Sequence, residues 1–103
     1  MKFGLKNETR ECIKDVFAKY PQIEQVILYG SRAIGSYKNG SDIDLTLKGE
    51  KLNLTVANSL CNDLDDLFLP YTFDISILSH ISNPDLIKHI ERVGIDFYNS
   101  LNS

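Results

Sequence analysis

The sequence predicts an α/β (α+β) domain, a small mixed sheet of about three to four strands packed with helices in the order α-β-α-β-α-β-α. Three observations lead there. Apolar stripes at helical spacing begin, divide and nearly close the chain. Short apolar or alternating segments, each bounded by glycine, proline or asparagine, stand between them. The connections are short, which suits a mixed or antiparallel arrangement, and 103 residues make a single domain, 1–103.

Taken in order, Leu5, Cys12, Ile13, Val16, Phe17 and Tyr20 recur at helical spacing among charged residues, and Pro21 closes that helix. Gln25-Val26-Ile27-Leu28-Tyr29 is a short apolar run ending at Gly30. Its near-continuous hydrophobicity suits a central strand. Residues 31–37 are read as a short helix and Lys38-Asn39-Gly40 as a turn. Ser41 to Lys48 alternates, with Asp42, Asp44 and Thr46 on one face and Ile43, Leu45 and Leu47 on the other.

Asn53 to Leu67 is helical, with Val56, Ala57, Leu60, Cys61, Leu64 and Leu67 on one side and Asn62, Asp63, Asp65 and Asp66 as its solvated end. Tyr71 to Leu78 alternates again, with Asp74 on its polar face. Asn83-Pro84-Asp85 combines a cap, a proline at the first helical position and an acid in the first turn. Leu86, Ile87, Ile90 and Val93 form the stripe that follows, Gly94 stops it, and Ile95 to Tyr98 is a last extended piece.

Composition narrows the class. Hydrophobic residues at 43% and charged residues at 24% are ordinary for a globular domain, and the net charge of −3 argues against nucleic acid as a direct partner. Cys12 and Cys61 have no CxxC spacing and fall on helical apolar stripes, so both are expected to be small buried hydrophobes. Met1 to Lys6 lacks the apolar core of a signal peptide and no apolar run reaches membrane-spanning length, so the expected location is cytoplasmic. His80 and His89 lack metal-ligand spacing and are expected at the surface or in capping roles.

The chemistry lies in the acids. Residues two apart on a strand share a face with Cα atoms roughly 6.6 Å apart, so Asp42 and Asp44 point the same way. If the strand of Asp74 is a neighbour, three carboxylates meet on one patch. Such a patch repels itself unless one acid takes a proton or a cation binds. Oxygen-only ligands favour Mg²⁺ or Mn²⁺, and a cluster of this kind can hold two metals roughly 4 Å apart for phosphoryl transfer.

An isolated DxD is more often a solvated strand face than a site. Aspartate is disfavoured in strands, however, and three at agreeing parity call for a reason. Gly30-Ser31-Arg32 follows the first strand directly: glycine allows close approach of a ligand, and the amides, the Ser31 hydroxyl and the Arg32 charge suit phosphate. Read in isolation it is an ordinary strand-to-helix turn with Ser31 as cap, and Gly35, Gly40 and Ser41 read first as turn residues.

Leu28-Tyr29-Gly30-Ser31-Arg32-Ala33, Gly35 and Ser41-Asp42-Ile43-Asp44-Leu45 together resemble the minimal nucleotidyltransferase (MNT) family of the DNA polymerase β-like superfamily, with its GS-x10-DxD spacing. Tyr71 to Ile75 is similar to the strand bearing its third acid, and Ile90 to Tyr98 to its closing segment. Family members often carry arginine where Ile34 stands.

The resemblance implies the nucleotidyltransferase fold, metal binding by Asp42, Asp44 and Asp74, help from Asp74 in deprotonating a hydroxyl, and phosphate contacts from Gly30 and Ser31. With Arg32 and Ser41 these make up the expected nucleotide site. It further implies an adenylyltransferase that uses ATP and Mg²⁺, paired as antitoxin with a helical HEPN-domain protein in a hetero-oligomer and modifying a tyrosine on it. Two other readings stand beside it: a binding subunit that silences its partner by complex formation alone, and transfer to a small molecule such as an aminoglycoside. The last normally needs an additional substrate domain.

Overall fold

The computed structural model describes residues 2–38 and 40–102. The chain runs α1 (Asn7–Ala18), β1 (Gln25–Tyr29), α2 (Ser31–Ile34), β2 (Ile43–Lys48), α3 (Leu54–Asp65), β3 (Phe73–Ile77), α4 (Pro84–Val93) and β4 (Ile95–Asn99). Short 3-10 turns at Leu78–His80 and Ser100–Asn102 follow β3 and β4. The extended piece expected at Ile95 to Tyr98 is thus a true fourth strand.

The strands form one mixed sheet in the order β3-β2-β1-β4. The apolar β1 is central as expected, antiparallel to both β2 and β4, while β2 and β3 run parallel. That parallel pairing is possible because α3 lies between β2 and β3 in the chain and returns it to the same end of the sheet.

Side-chain alternation divides the sheet into two faces. Val26, Leu28, Ile43, Leu45, Leu47 and Ile77 pack with Ile13, Phe17, Leu60 and Leu64 into the main core. Burying a side chain of this kind stabilises the fold by about 1.5–3 kcal/mol. Phe17 sets its edge against Phe97 of β4, with centroids 6.2 Å apart at 81°. Leu5 precedes α1 yet is fully buried, brought inward by a turn in which Phe3 and Gly4 have φ of 59° and 73°.

The opposite face carries Ile27 and Tyr29, Asp44 and Thr46, and Asp74 and Ser76 in cross-strand register. Helix α4 lies here. Asn83 Oδ1 caps it by accepting from the amides of Asp85 (3.0 Å) and Leu86 (3.4 Å). At its end Gly94 lets the backbone come down on Ile27, where a Cβ would overlap Ile27 Cγ2 and the Ile90 carbonyl.

Several boundaries and environments differ from expectation. The helix expected over 31–37 ends at Ile34, because Gly35 takes the left-handed conformation (φ 85°) and its amide turns back to the Ser31 carbonyl. Strand β3 stops at Ile77, and Leu78 enters the 3-10 turn. The turn expected at Lys38-Asn39-Gly40 includes Asn39, which like Met1 lies outside the described residues; beside it, the Ser41 amide donates to the Lys38 carbonyl (3.0 Å).

Cys12 is exposed rather than buried. It lies one residue, about 100° of helix, from fully buried Ile13, which places it beyond the edge of the packed stripe. Both cysteines are free thiols, and burial, with the charge of Asp65, raises the Cys61 pKa. Asp63 is not part of a solvated end: it accepts a 2.5 Å hydrogen bond from the Tyr20 hydroxyl, tying the end of α1 to α3.

Candidate metal and nucleotide site

The candidate site forms where β1, β2 and β3 end in register. Tyr29, Asp44 and Asp74 are Cα partners across the three strands and share one face. Parallel strands lie about 4.8 Å apart, so Asp44 and Asp74 stand directly side by side. Asp42 precedes β2, two residues before Asp44, and is exposed at the mouth of the patch. Asp44 and Asp74 are thus brought side by side on β2 and β3, and Asp42, on the residue that leads into β2, lies near enough for its charge to act on Asp44.

Gly30 is pressed onto this patch. Its backbone takes φ 76° and ψ −156°, which residues with a Cβ avoid, and a Cβ there would collide with Asp44 Oδ2. Glycine is thus required twice: by its own torsions and by the carboxylate beside it. Gly30, and not Ser31, occupies the N-cap position of α2; its carbonyl accepts from the amides of Ala33 (3.1 Å) and Ile34 (3.2 Å).

The electrostatics follow from that crowding. Burial is the main cause that raises the Asp44 pKa, and the charges of Asp74 and Asp42 push it the same way. The charge of Arg32 opposes the shift. Tyr29 is also raised, first by burial; a hydrogen bond to Ser76 lowers it, while Asp74 and Asp44 raise it. Behind the acids the Ser76 hydroxyl donates to Thr46 Oγ1 at 2.9 Å, and Thr46 is completely buried.

Arg32 and Ser41 are brought together, but beneath the loop rather than on the acidic face. Arg32 is 3% exposed. Its Nε (3.1 Å) and Nη2 (2.8 Å) donate to the Ser41 carbonyl, and its Nη1 (2.8 Å) to that of Phe3. The guanidinium lies over the rings of Tyr37 and Tyr71, at 5.4 and 5.0 Å from their centroids. The Ser41 hydroxyl accepts from the Lys38 amide at 2.8 Å. Arg32 therefore clamps the segment leading into Asp42. Ile34 is exposed at the end of α2.

His89 corrects the sequence reading. Half-buried on α4, it accepts the Gly30 amide on Nε2 at 3.3 Å and meets the Tyr29 ring in a T-shaped contact, with centroids 6.2 Å apart at 80°. The helical spacing carried a signal: His89 is three residues after Leu86 and four before Val93, on the edge of the apolar stripe. His80 is exposed in the 3-10 turn after β3, as expected.

Among the described residues, no group of three or more His, Cys, Asp or Glu stands arranged to hold a metal ion. The chemistry of the donors nevertheless fits a hard divalent cation. They are oxygen ligands only, two are directly opposed, and burial and acidic neighbours disfavour the charge on Asp44. A shared ion would need Asp42, Asp44 and Asp74 to turn toward one another. Asp42 and Asp74 are exposed and Asp44 is half-buried, while a concavity of about 700 Å³ opens at the far end of the sheet, between Gln25, Lys48 and Leu78, and none of the three acids lines it. No helix among the described residues is long and apolar enough to cross a membrane.

Residues 11–101 match the family described as polymerase beta, nucleotidyltransferase. No curated protein matches the chain. In fold it is similar to a chain of a toxin-antitoxin crystal structure with AMP-PNP, at TM-score 0.72 and 18% identity over 90% of this chain and 75% of that one. It is similar also to a chain of the toxin-antitoxin MntA-HepT, at TM-score 0.67 and 15% identity over 94% and 75%. A third similar chain comes from the tri-AMPylated Shewanella oneidensis HEPN toxin in complex with MNT antitoxin, at TM-score 0.60 and 15% identity over 90% and 75%.

Proposed function

The chain belongs to the polymerase beta nucleotidyltransferase family, and on that premise we propose that it transfers AMP from ATP to a tyrosine hydroxyl on a helical HEPN-domain partner, as the antitoxin of a toxin-antitoxin pair. The observation that carries this reading is the cross-strand pair Asp44 and Asp74 with Gly30 seated against Asp44. It sets carboxylate oxygens, the donor type that suits a hard divalent cation, beside a glycine turn whose missing side chain would let a phosphate approach.

Asp42, Asp44 and Asp74 would hold Mg²⁺ or Mn²⁺, one ion or two, and Gly30 and Ser31 would hold the triphosphate. When bound, the metal supplies positive charge to the phosphate oxygens and lowers the pKa of the attacking hydroxyl. In the reaction the tyrosine oxygen forms a bond to the α-phosphorus. The bond from that phosphorus to the bridging oxygen breaks, and pyrophosphate leaves with the electron pair. Asp74, exposed at the front of the patch, receives the phenolic proton. Arg32 acts from below, holding the Ser41 carbonyl and so the approach to Asp42. Catalysis is then mainly positioning and charge neutralisation.

The exposure of Asp42 and Asp74 supports a macromolecular acceptor, since a partner surface can reach both acids. Among the fold neighbours, one toxin is described as tri-AMPylated and another complex contains AMP-PNP, which supports AMP as the group transferred. The test is incubation with the HEPN-domain partner, Mg²⁺ and ATP labelled in its AMP portion. Label is expected on the partner, and chelation of the metal, Asp42→Ala or Asp44→Ala should abolish it. No transfer by wild type would overturn the proposal. If Asp42→Ala silences the partner as well as wild type does, complex formation alone is the function.

A further inference from the structure

Among the described residues, helix α4 reaches the candidate site through a polar contact made by His89, which lies outside the acidic set. We infer that His89 is a positioning residue that locks the Gly30-Ser31 turn against Asp44. The inference rests on the nucleotidyltransferase reading for its consequence, but not for its geometry.

The Gly30 amide and His89 Nε2 are 3.3 Å apart and 59 residues apart in sequence. An amide can only donate, so Nε2 must accept and carries no proton in this contact; the ring proton is then on Nδ1. The ring cannot swing freely, because its face or edge is held against Tyr29 (6.2 Å, 80°). Tyr29 is itself 6% exposed. Helix α4 is in turn fixed at both ends: Asn83 caps its start, and Gly94 allows close approach to Ile27 at its finish.

The turn needs such a lock. Gly30 has torsions open to glycine alone, and glycine has the most conformational freedom to lose on ordering. A turn released from His89 has other backbone states available, and leaving the present one moves Gly30 from its seat against Asp44. With His89 in place, the Gly30 amide is engaged by the protein, so Gly30 would serve the phosphate by the close approach its missing side chain allows, and Ser31 would supply the donors. His89 thereby ties the docking of α4 to the geometry of the phosphate turn and the acid beside it.

The test compares wild type, His89→Leu and His89→Gln. Leucine approximates the volume without an acceptor, and glutamine restores an acceptor oxygen at similar reach. Two readings are taken: hydrogen exchange of the Gly30 amide by ¹⁵N NMR without ligand, and affinity for a non-hydrolysable ATP analogue with Mg²⁺. In His89→Leu, Gly30 exchange is expected to rise and affinity to fall about tenfold, which corresponds to about 1.4 kcal/mol. His89→Gln should recover much of both while the two variants unfold at similar temperatures.

Unchanged Gly30 exchange and affinity in His89→Leu would overturn the inference, as would equal losses in both variants. If His89→Leu does not fold, His89→Gln decides: a Gly30 amide protected as in wild type supports the lock, and an unprotected one overturns it. If wild type binds no analogue, the proposed function fails, whereas release of the Gly30 amide in His89→Leu still supports the lock.

Discussion

Replacing Gly30 with alanine adds one methyl group where two separate constraints meet. The first is conformational: φ 76° with ψ −156° lies in a region open essentially to glycine, and a residue with a Cβ held there costs about 1–3 kcal/mol. The second is steric, since the new methyl would occupy the space of Asp44 Oδ2. Turning the carboxylate aside, or shifting the turn, adds about 1 kcal/mol, at the low end for overpacking.

A total near 3 kcal/mol lowers the melting temperature of a domain this size by about 12–24 °C. The assay is thermal and urea unfolding of wild type, Gly30→Ala, Asp44→Ala and the double variant. With the carboxylate removed, the steric part vanishes and only the torsional part remains, so the double variant should be more stable than the sum of the single effects by about 1 kcal/mol. A loss below about 4 °C in Gly30→Ala refutes the torsional reasoning. Strict additivity refutes the proposed contact with Asp44.

Asp44 makes a prediction of opposite sign. Its raised pKa means that the folded state holds a proton more tightly than the unfolded chain, so stability falls as pH rises between the ordinary carboxylate value and the raised one. Asp44→Asn should therefore melt higher than wild type at pH 7, with the gap closing toward pH 3.8, and a lower melting temperature at pH 7 would contradict the crowding described here.

Tyr20→Phe removes the hydroxyl that ties α1 to Asp63 and should cost about 1 kcal/mol, read by urea unfolding. Burial, then the hydrogen bond and charge of Asp63, raises the Tyr20 pKa to about 12, so wild type should lose stability between pH 10 and 12 through this group. The phenylalanine variant should lack that component.

Arg32→Lys keeps the charge but loses the planar fork that reaches the carbonyls of Phe3 and Ser41, and should cost about 2–4 kcal/mol. A change under about 0.5 kcal/mol would mean that the clamp contributes little.

The central β1 shows why much of this fold was legible in the sequence. Gln25 to Tyr29 is almost wholly apolar, and a strand of that kind is stable only when flanked and covered, which is how it sits. The start of α4 was equally plain, since Asn83 and Pro84 act within a few residues of themselves. Cys12 was misplaced for a related reason: helical periodicity locates a stripe but not its width, and the width depends on what packs against it. The last strand was less clear because Ile95 to Asn99 becomes a strand only through the partner beside it.

At the site, Gly30, Ser31, Asp42 and Asp44 lie close enough in the chain for spacing and parity to associate them, and parity also put Asp74 on a compatible face. By itself the sequence determined the apolar stripes, the helix starts and the type and spacing of the acids, because these follow from neighbours along the chain and the two backbone periods. Only the tertiary structure decided that β3 pairs with β2 so that Asp74 stands beside Asp44, that Arg32 is spent on two backbone carbonyls, and that His89 holds the Gly30 amide. The first and last depend on which strands become neighbours and on how α4 docks across the sheet, contacts 30 and 59 positions apart, and the Arg32 clamp reaches 9 positions to Ser41 and 29 to Phe3; no local pattern encodes any of them.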